Sequence, residues 1–161
     1  MKLIPLSGKR GAGEFSVVDD CDYEWASKFR WHLSSSGYAI TNKSRPYKNG
    51  KTLHMHRAIN KTPDGLFTDH VNQNRIDNRR ENLRTATKTQ NLFNMDKHSD
   101  NSSGYKGIVY HRPSGLWGAK IQVKMHRVSL GYYETKKEAA NAYNNAAKKL
   151  HGQFAYLNKV R

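Results

Sequence analysis

Two adjacent residues, Asp69 and His70, put a hard oxygen ligand and a titratable nitrogen at one point in the chain. Hydrolysis of a phosphodiester needs both. A divalent cation neutralises charge on the phosphate and the leaving oxygen. A base within hydrogen-bond reach takes a proton from the attacking water. Successive strand side chains point to opposite faces, so these two converge only where a strand ends and the backbone bends. Asn91 offers a second, neutral oxygen if a helix carrying it packs across two strands. One carboxylate and one amide form a thin ligand set. It leaves room for waters and a phosphate, which suits Mg²⁺, or Mn²⁺ in its place. Taken alone, an Asp-His pair reads more readily as a polar turn. Arg79, Arg80 and Arg84 are candidates for phosphate contact, or else solvated surface arginines.

The elements around these residues set the geometry. Leu66-Phe67-Thr68 reads as a strand leading into Asp69-His70. The Asn/Asp/Arg-rich stretch from Asn72 to Asn82 reads as a loop that does not bury itself. Leu83–Ala86 reads as a returning strand, and Thr87-Lys88-Thr89-Gln90 has the capping-box pattern that starts a helix. Upstream, Phe15–Val18 and Tyr38-Ala39-Ile40 are strand-like, and Tyr23–Phe29 makes a short amphipathic turn with Trp25 and Phe29 as core. Cys21 reads as a small core residue, Leu53–Ile59 as helix, and Thr41–Lys51, with Pro46 and Gly50, as a surface loop. His54 and His56 form a His-x-His with no further Cys or His at zinc spacing. They read as packing or phosphate-contact residues, and no structural zinc is expected.

Length and charge narrow the class. The chain has 161 residues and a formal net charge of +15, which points to a polyanionic partner, nucleic acid before membrane. Hydrophobic residues make up 36%, below the roughly 45–50% of an average domain. Two small cores under a basic exterior fit that figure. There is no apolar run near ~18 residues for a membrane span, no signal-peptide core, and one cysteine excludes an intramolecular disulfide framework. An intracellular setting, the cytoplasm or nucleoid of a host cell, is the expectation. No heptad or apolar patch marks a dimer interface, so a monomer is expected.

Asp96–Ser103 is polar and short, and the expected organisation is 1–96, a linker at 97–103, and 104–161. Residues 101–161 carry 11 Lys and Arg against 2 Asp and Glu, a net +9, which makes this part the stronger polyanion anchor. Its plan is three strands, Lys106–His111, Leu116–Val123 and Arg127–Tyr133, then a helix. In the middle strand Trp117, Ala119, Ile121 and Val123 share one face, and Gly118, Lys120, Gln122 and Lys124 the other. Thr135-Lys136-Lys137-Glu138 opens the helix with a capping box, and Gly152 closes it. Ala139, Tyr143, Ala146 or Ala147, and Leu150 recur at helical spacing, and the small alanines let the helix lie close to the sheet.

The run Thr68-Asp69-His70-Val71-Asn72-Gln73-Asn74, the segment Asp77-Asn78-Arg79-Arg80-Glu81-Asn82-Leu83-Arg84-Thr85-Ala86-Thr87, and Gln90-Asn91 together resemble the HNH endonucleases of the homing type. The match spans about forty residues and includes His56-Arg57. The resemblance implies a ββα-metal (His-Me finger) core with His70 as general base and Asp69 and Asn91 as metal ligands. It implies that Asn82 braces the loop that carries the histidine. Asn91 stands where many relatives have His, which fits a hard cation.

Ser103–Asn158 resembles the APETALA/ethylene-response-factor-type DNA-binding domain. That likeness rests on Tyr105-Lys106-Gly107-Ile108, Trp117–Ile121, Leu130-Gly131-Tyr132-Tyr133 and Glu138–Tyr143 with Ala146-Ala147. It implies a sheet lying in the major groove, with Lys106, His111, Lys120, Gln122 and Arg127 as contacts. Val109, Ser114 and Ser129 depart from the pattern where regulatory members usually have Arg or Trp, so base specificity does not carry over.

The expectation is therefore an α+β chain: a small nuclease core with N-terminal strands, then a three-stranded antiparallel sheet packed on one helix. Its expected function is a metal-dependent endonuclease acting on double-stranded DNA, homing-type or free-standing in a phage or mobile element, that nicks as a monomer. The alternative is a DNA-binding or regulatory protein with a degenerate nuclease half.

Overall fold

The computed structural model describes residues 1–42, 52–97, 99–123 and 126–160. The loop expected within Thr41–Lys51 and the position of Lys124 fall outside the described residues, except for Thr41 and Asn42. The chain is α+β and divides into two compact units, Met1–Lys88 and Thr89–Arg161.

The first unit contains a five-stranded sheet in the order β2-β1-β3-β4-β5. Its strands are β1 (Lys2–Ser7), β2 (Phe15–Val18), β3 (Trp31–Leu33), β4 (Ala39–Asn42) and β5 (Thr52–His54). β1 runs antiparallel to β2 and parallel to β3. The helix α1 (Asp20–Ala26) follows β2, and α2 (Met55–Asn60) follows β5 directly. Ile4, Leu6, Val18, Ala26, Trp31, Ala39, Met55, Ile59 and Leu83 form the core. Trp31 is fully buried and its indole N–H donates to Ala26 O at 2.8 Å, so the amphipathic ring leaves no orphan donor. Trp25 and Phe29 pack against it at centroid separations of 5.9 and 5.7 Å. A separate two-stranded ladder joins β6 (Phe67–His70) to β7 (Leu83–Ala86), and α3 (Lys88–Asn94) follows at once.

Three local expectations are corrected here. Leu53–Ile59 is strand then helix: Leu53 pairs with Thr41 in β5, and the helix begins only at Met55. Cys21 is exposed, and its neighbour Asp22 is the buried residue of that turn. The cause is Arg80, whose Nε and Nη2 donate to the two Asp22 oxygens at 2.7 Å each. The Asn72–Asn82 loop does bury part of itself, because Asp77, Asn78 and Asn82 are all inside.

The second unit is a three-stranded antiparallel sheet, β10-β9-β8, from β8 (Ile108–His111), β9 (Leu116–Val123) and β10 (His126–Tyr133), with α4 (Lys136–His151) packed on it. The Thr135/Glu138 capping box is formed in both directions. Ala119 and Ile121 of β9 meet Ala139, Ala140, Tyr143 and Ala147 of α4, while Lys120 and Gln122 face out. Gly107 has a positive φ of 78°, and a Cβ there would lie 2.5 Å from both Lys120 O and the Tyr143 ring. Only glycine fits there, where the residue before β8 is wedged against β9 and α4.

Leu150 is exposed and His151 is the inward residue. The His151 ring stacks flat on Phe93 at 3.7 Å and its Nε2 pairs with Gln122 O at 2.7 Å. The body of α3 thus belongs with the second unit, and the division falls before the 97–103 stretch expected as linker. Part of that stretch is ordered: Ser103 is buried, and Asn101 and Ser103 hydrogen-bond to Tyr105 O. Among the described residues, no helix is long and apolar enough to cross a membrane.

Candidate active site

The β6/β7 register sets the first contact of the site. Asp69 lies directly opposite Arg84 on the partner strand, so their side chains share a face. Arg84 Nε and Nη2 donate to Asp69 Oδ2 at 2.7 and 2.5 Å. Both side chains are largely buried, at 6% and 16% exposure. Deleting one partner of such a pair leaves the other charge stranded, at about 3–5 kcal/mol.

His70 is the last residue of β6. Beyond it the backbone turns: Gln73 N donates to His70 O at 3.0 Å, with Gln73 at a positive φ of 65°. The imidazole is buried at 4% exposure. Its Nε2 meets Asn78 Oδ1 at 3.1 Å. The rings of His56 and Tyr38 pack against it at 5.3 and 5.9 Å, and His54 stands 5.3 Å from His56. Burial lowers the His70 pKa, opposed by the Asn78 hydrogen bond and the Asp69 charge. His56 is pushed down to about 3, by burial first and then by the repulsion that a charge on it would meet from His70 and His54, when protonated, and from Arg57. His54 is lowered too, again chiefly by burial. Among the described residues, the buried Nδ1 atoms of His54 and His56 have no hydrogen-bond partner. The rings meet edge-on or tilted, and burial favours the neutral form of each imidazole.

The loop between the strands is built from polar side chains. Asn82 Oδ1 accepts from Asn72 N at 2.9 Å, and its Nδ2 donates to Asp77 O at 2.8 Å, which ties the two limbs together. Asp77 accepts from Asn72 Nδ2 at 2.8 Å and from Arg79 Nε and Nη2 at 2.8 and 2.7 Å. Those bonds, led by Arg79, hold its carboxyl below the usual range. The middle of the loop is pinned to β2: Val17 N donates to Ile76 O and Asn78 N to Val17 O, both at 2.8 Å.

Of the residues read from the sequence, the structure brings Asp69, His70 and Asn82 together in the first unit. Asn91 lies on α3, beyond the division, in the second. Arg79, Arg80 and Arg84 each hold a carboxylate of this chain, Asp77, Asp22 and Asp69 respectively. His111, Lys120, Gln122 and Arg127 are exposed on the three-stranded sheet. Lys106 differs: its ammonium donates to the carbonyls of Phe93, at 2.8 Å, and Met95 at the end of α3. Burial lowers its pKa to about 8. It caps a helix, where the sequence reading had it facing DNA.

Sequence reasoning missed Asn78, Tyr38 and Ser16. The available signal was Ser16, a hydroxyl at the inward parity of Phe15–Val18, which requires a buried partner. Among the described residues, no group of three or more His, Cys, Asp or Glu is gathered to hold a metal.

Residues 60–92 match the family model described as HNH endonuclease. A mimivirus protein named as an uncharacterized HNH endonuclease (Acanthamoeba polyphaga mimivirus) is 32% identical over 157 residues, covering 94% of this chain and 78% of that protein. The chain belongs to the HNH endonuclease family. A second relative of this HNH protein is Protein 3.8 of Escherichia phage T7, 28% identical over 93 residues, or 58% of this chain and 76% of that one. A 57-residue stretch, 35% of the HNH chain, is 44% identical to part of an AP2/ERF and B3 domain-containing transcription repressor of Arabidopsis thaliana, covering 16% of it. No solved structure matches the HNH protein.

Proposed function

We propose that this protein is a metal-dependent endonuclease that hydrolyses a backbone phosphodiester of duplex DNA and breaks one strand per encounter. It is homing-type or free-standing, and it acts as a monomer. The observation that carries the reading is a buried histidine at the end of β6 beside a carboxylate, above a polar loop tied to it by hydrogen bonds, in a chain of the HNH family. In this reading β6, β7 and α3 are the ββα-metal unit.

His70 takes the proton of the attacking water. Asn82 keeps the two limbs of the loop closed, so that the end of β6 presents His70 at a fixed place. Arg84 holds Asp69 in one rotamer. Asp69 and Asn91 would hold the cation, Mg²⁺ or Mn²⁺. When bound, the cation supplies charge neutralisation at the phosphate and the leaving oxygen. Arg79, Arg80 and Arg84 serve chiefly to neutralise carboxylates of this chain, Asp77, Asp22 and Asp69, and the DNA grip falls to the second unit. There the exposed His111, Lys120, Gln122 and Arg127 meet the duplex in the manner of an APETALA-type sheet. The short likeness to a plant transcription repressor supports that role.

Supercoiled-plasmid cleavage tests the proposal. Wild-type protein with Mg²⁺ should convert supercoiled DNA to open circles, and EDTA should stop it. His70→Ala should lose on the order of 10²–10⁴ in rate, as for a lost general base, with little change in DNA affinity. Binding without cleavage by the wild type would replace the endonuclease with a DNA-binding module. Nicking by His70→Ala at the wild-type rate would remove His70 from the chemistry.

A further inference from the structure

The outer face of the second unit's sheet carries an apolar strip. β9 fixes the two faces: Ala119 and Ile121 are buried toward α4, and Gly118 and Lys120 take the opposite side. Val109 of β8 and Tyr132 of β10 both pair with Gly118, so the three residues form one row across the sheet. Tyr132 reaches that row through a break in the ladder. Ser129 lies opposite Lys120, but Gly131 lies opposite Ala119. The extra residue turns Tyr132 outward, where strict alternation would aim it at α4. Gly118 makes room for it, since a Cβ there would stand 3.2 Å from the Tyr132 ring. The ring therefore lies over the middle strand, with His111 tilted against it at 5.1 Å. Val109 and Tyr132 remain 57% and 50% exposed. Tyr110 and Val128 are exposed too, but they pair with Trp117 and Ile121 on the α4 side.

The charge around the strip selects its occupant. From Tyr105 to Tyr133 the chain has no acidic residue, and Lys120 and Arg127 stand exposed on the strip's own face. Such a field suits a polyanion. Three strands at a spacing of about 4.8 Å also fit a major groove about 12 Å wide. We propose that Val109, beside the Tyr132 ring, selects a thymine by its 5-methyl group when this face enters the major groove. This rests on the reading of the second unit as the DNA grip and adds what that grip reads. The Val109 side chain has no polar atom, so it reads a base edge by apolar contact alone. On the major-groove edges of the ordinary base pairs, the apolar group is the thymine methyl. A cytosine at the same place offers no methyl, and its amino group would lose water against Val109 without a replacement. Lys120 and Arg127 meet phosphates beside the strip, and such contacts carry no sequence information. The charges thus supply affinity, and the strip supplies the base preference.

The test starts from the full-length protein in EDTA, which stops cleavage, and a library of random duplex sequences. The retained duplexes should fix an A·T pair at one position or more. In the best of them, replacing each thymine in turn by uracil removes the methyl and leaves every hydrogen-bonding group of the pair. At the contacted position binding should weaken about fourfold, the equivalent of ~0.8 kcal/mol for one buried methylene. Val109→Ala should bind the thymine and uracil duplexes alike. Val109→Thr trades one methyl for a hydroxyl and should narrow the difference. Lys120→Ala should weaken both duplexes and keep their ratio. The ratio within one variant does not depend on how much of that variant folds. Equal binding of thymine and uracil duplexes by the wild type overturns the proposal, and so does an unchanged ratio in Val109→Ala. A preference for 5-methylcytosine over thymine at that place would overturn thymine as the base. A wild type that retains no duplex overturns the DNA grip itself. If that protein also sediments as a dimer that Val109→Arg splits, the strip joins copies of the chain instead.

Discussion

Acid should destabilise the first unit through its buried imidazoles, and His56 supplies a part that can be worked out. His56 is 6% exposed, its buried Nδ1 has no hydrogen-bond partner among the described residues, and its pKa is lowered to about 3. In the unfolded chain it returns to about 6.5. Below that value the unfolded state binds a proton that the folded state refuses, so stability is fully present above pH 6.5 and is lost as pH falls toward 3. At pH 5.5 the folded imidazole is still neutral while the unfolded one is mostly charged. Between pH 7.5 and 5.5, His56 alone should therefore cost about 1.4 kcal/mol, the equivalent of one pKa unit. The perturbation that isolates it is His56→Phe. The ring stays between Tyr38 and His70, and the titrating nitrogen with its orphan Nδ1 goes. Urea unfolding of both proteins at the two pH values gives the difference directly. Wild type should lose about 1.4 kcal/mol more than His56→Phe over that interval. Equal losses would refute the reasoning and show that this imidazole is not held neutral in the fold.

The remaining predictions concern the second unit. Gly107→Ala, which forces a Cβ to 2.5 Å from Lys120 O and the Tyr143 ring at a positive φ, should destabilise by more than the roughly 1–3 kcal/mol of ordinary overpacking. Calorimetric melting of the full chain checks this, and an unchanged transition would contradict the placement of Gly107 against β9 and α4. Lys120→Ala removes an exposed cation from β9 and should flatten the dependence of log binding constant on log salt by about 0.9 if that residue meets a phosphate. An unchanged slope would take the outer sheet face away from DNA.

Local pattern carried much of this fold. The alternation of Leu116–Val123 put Ala119 and Ile121 inside, and the Thr135/Glu138 box opened α4, because side-chain period and capping are properties of a few consecutive residues. The Asp-His pair at a strand end was legible for the same reason. What the sequence did not show depended on partners far along the chain. Asp22 is buried in place of Cys21 because Arg80 arrives 58 residues later to neutralise it. Arg84 faces Asp69 because the β6/β7 register sets them opposite. His151 turns inward in place of Leu150 because Phe93 and Gln122 O supply a stack and an acceptor.

The loop from Asn72 to Asn82 shows the difference most fully. Its composition alone says that it cannot enter a core, since its amides and carboxylates are costly to dehydrate unpaired. The tertiary structure brings Ser16 within 2.7 Å of Asn78 across 62 residues, and lays Arg79 on Asp77 and the Asn78 carbonyl on His70. Each polar group is thereby satisfied, and burial becomes affordable. Residue types alone determined that an acid, an imidazole and an amide were present. Long-range hydrogen bonding decided which nitrogen of that imidazole is held and by what.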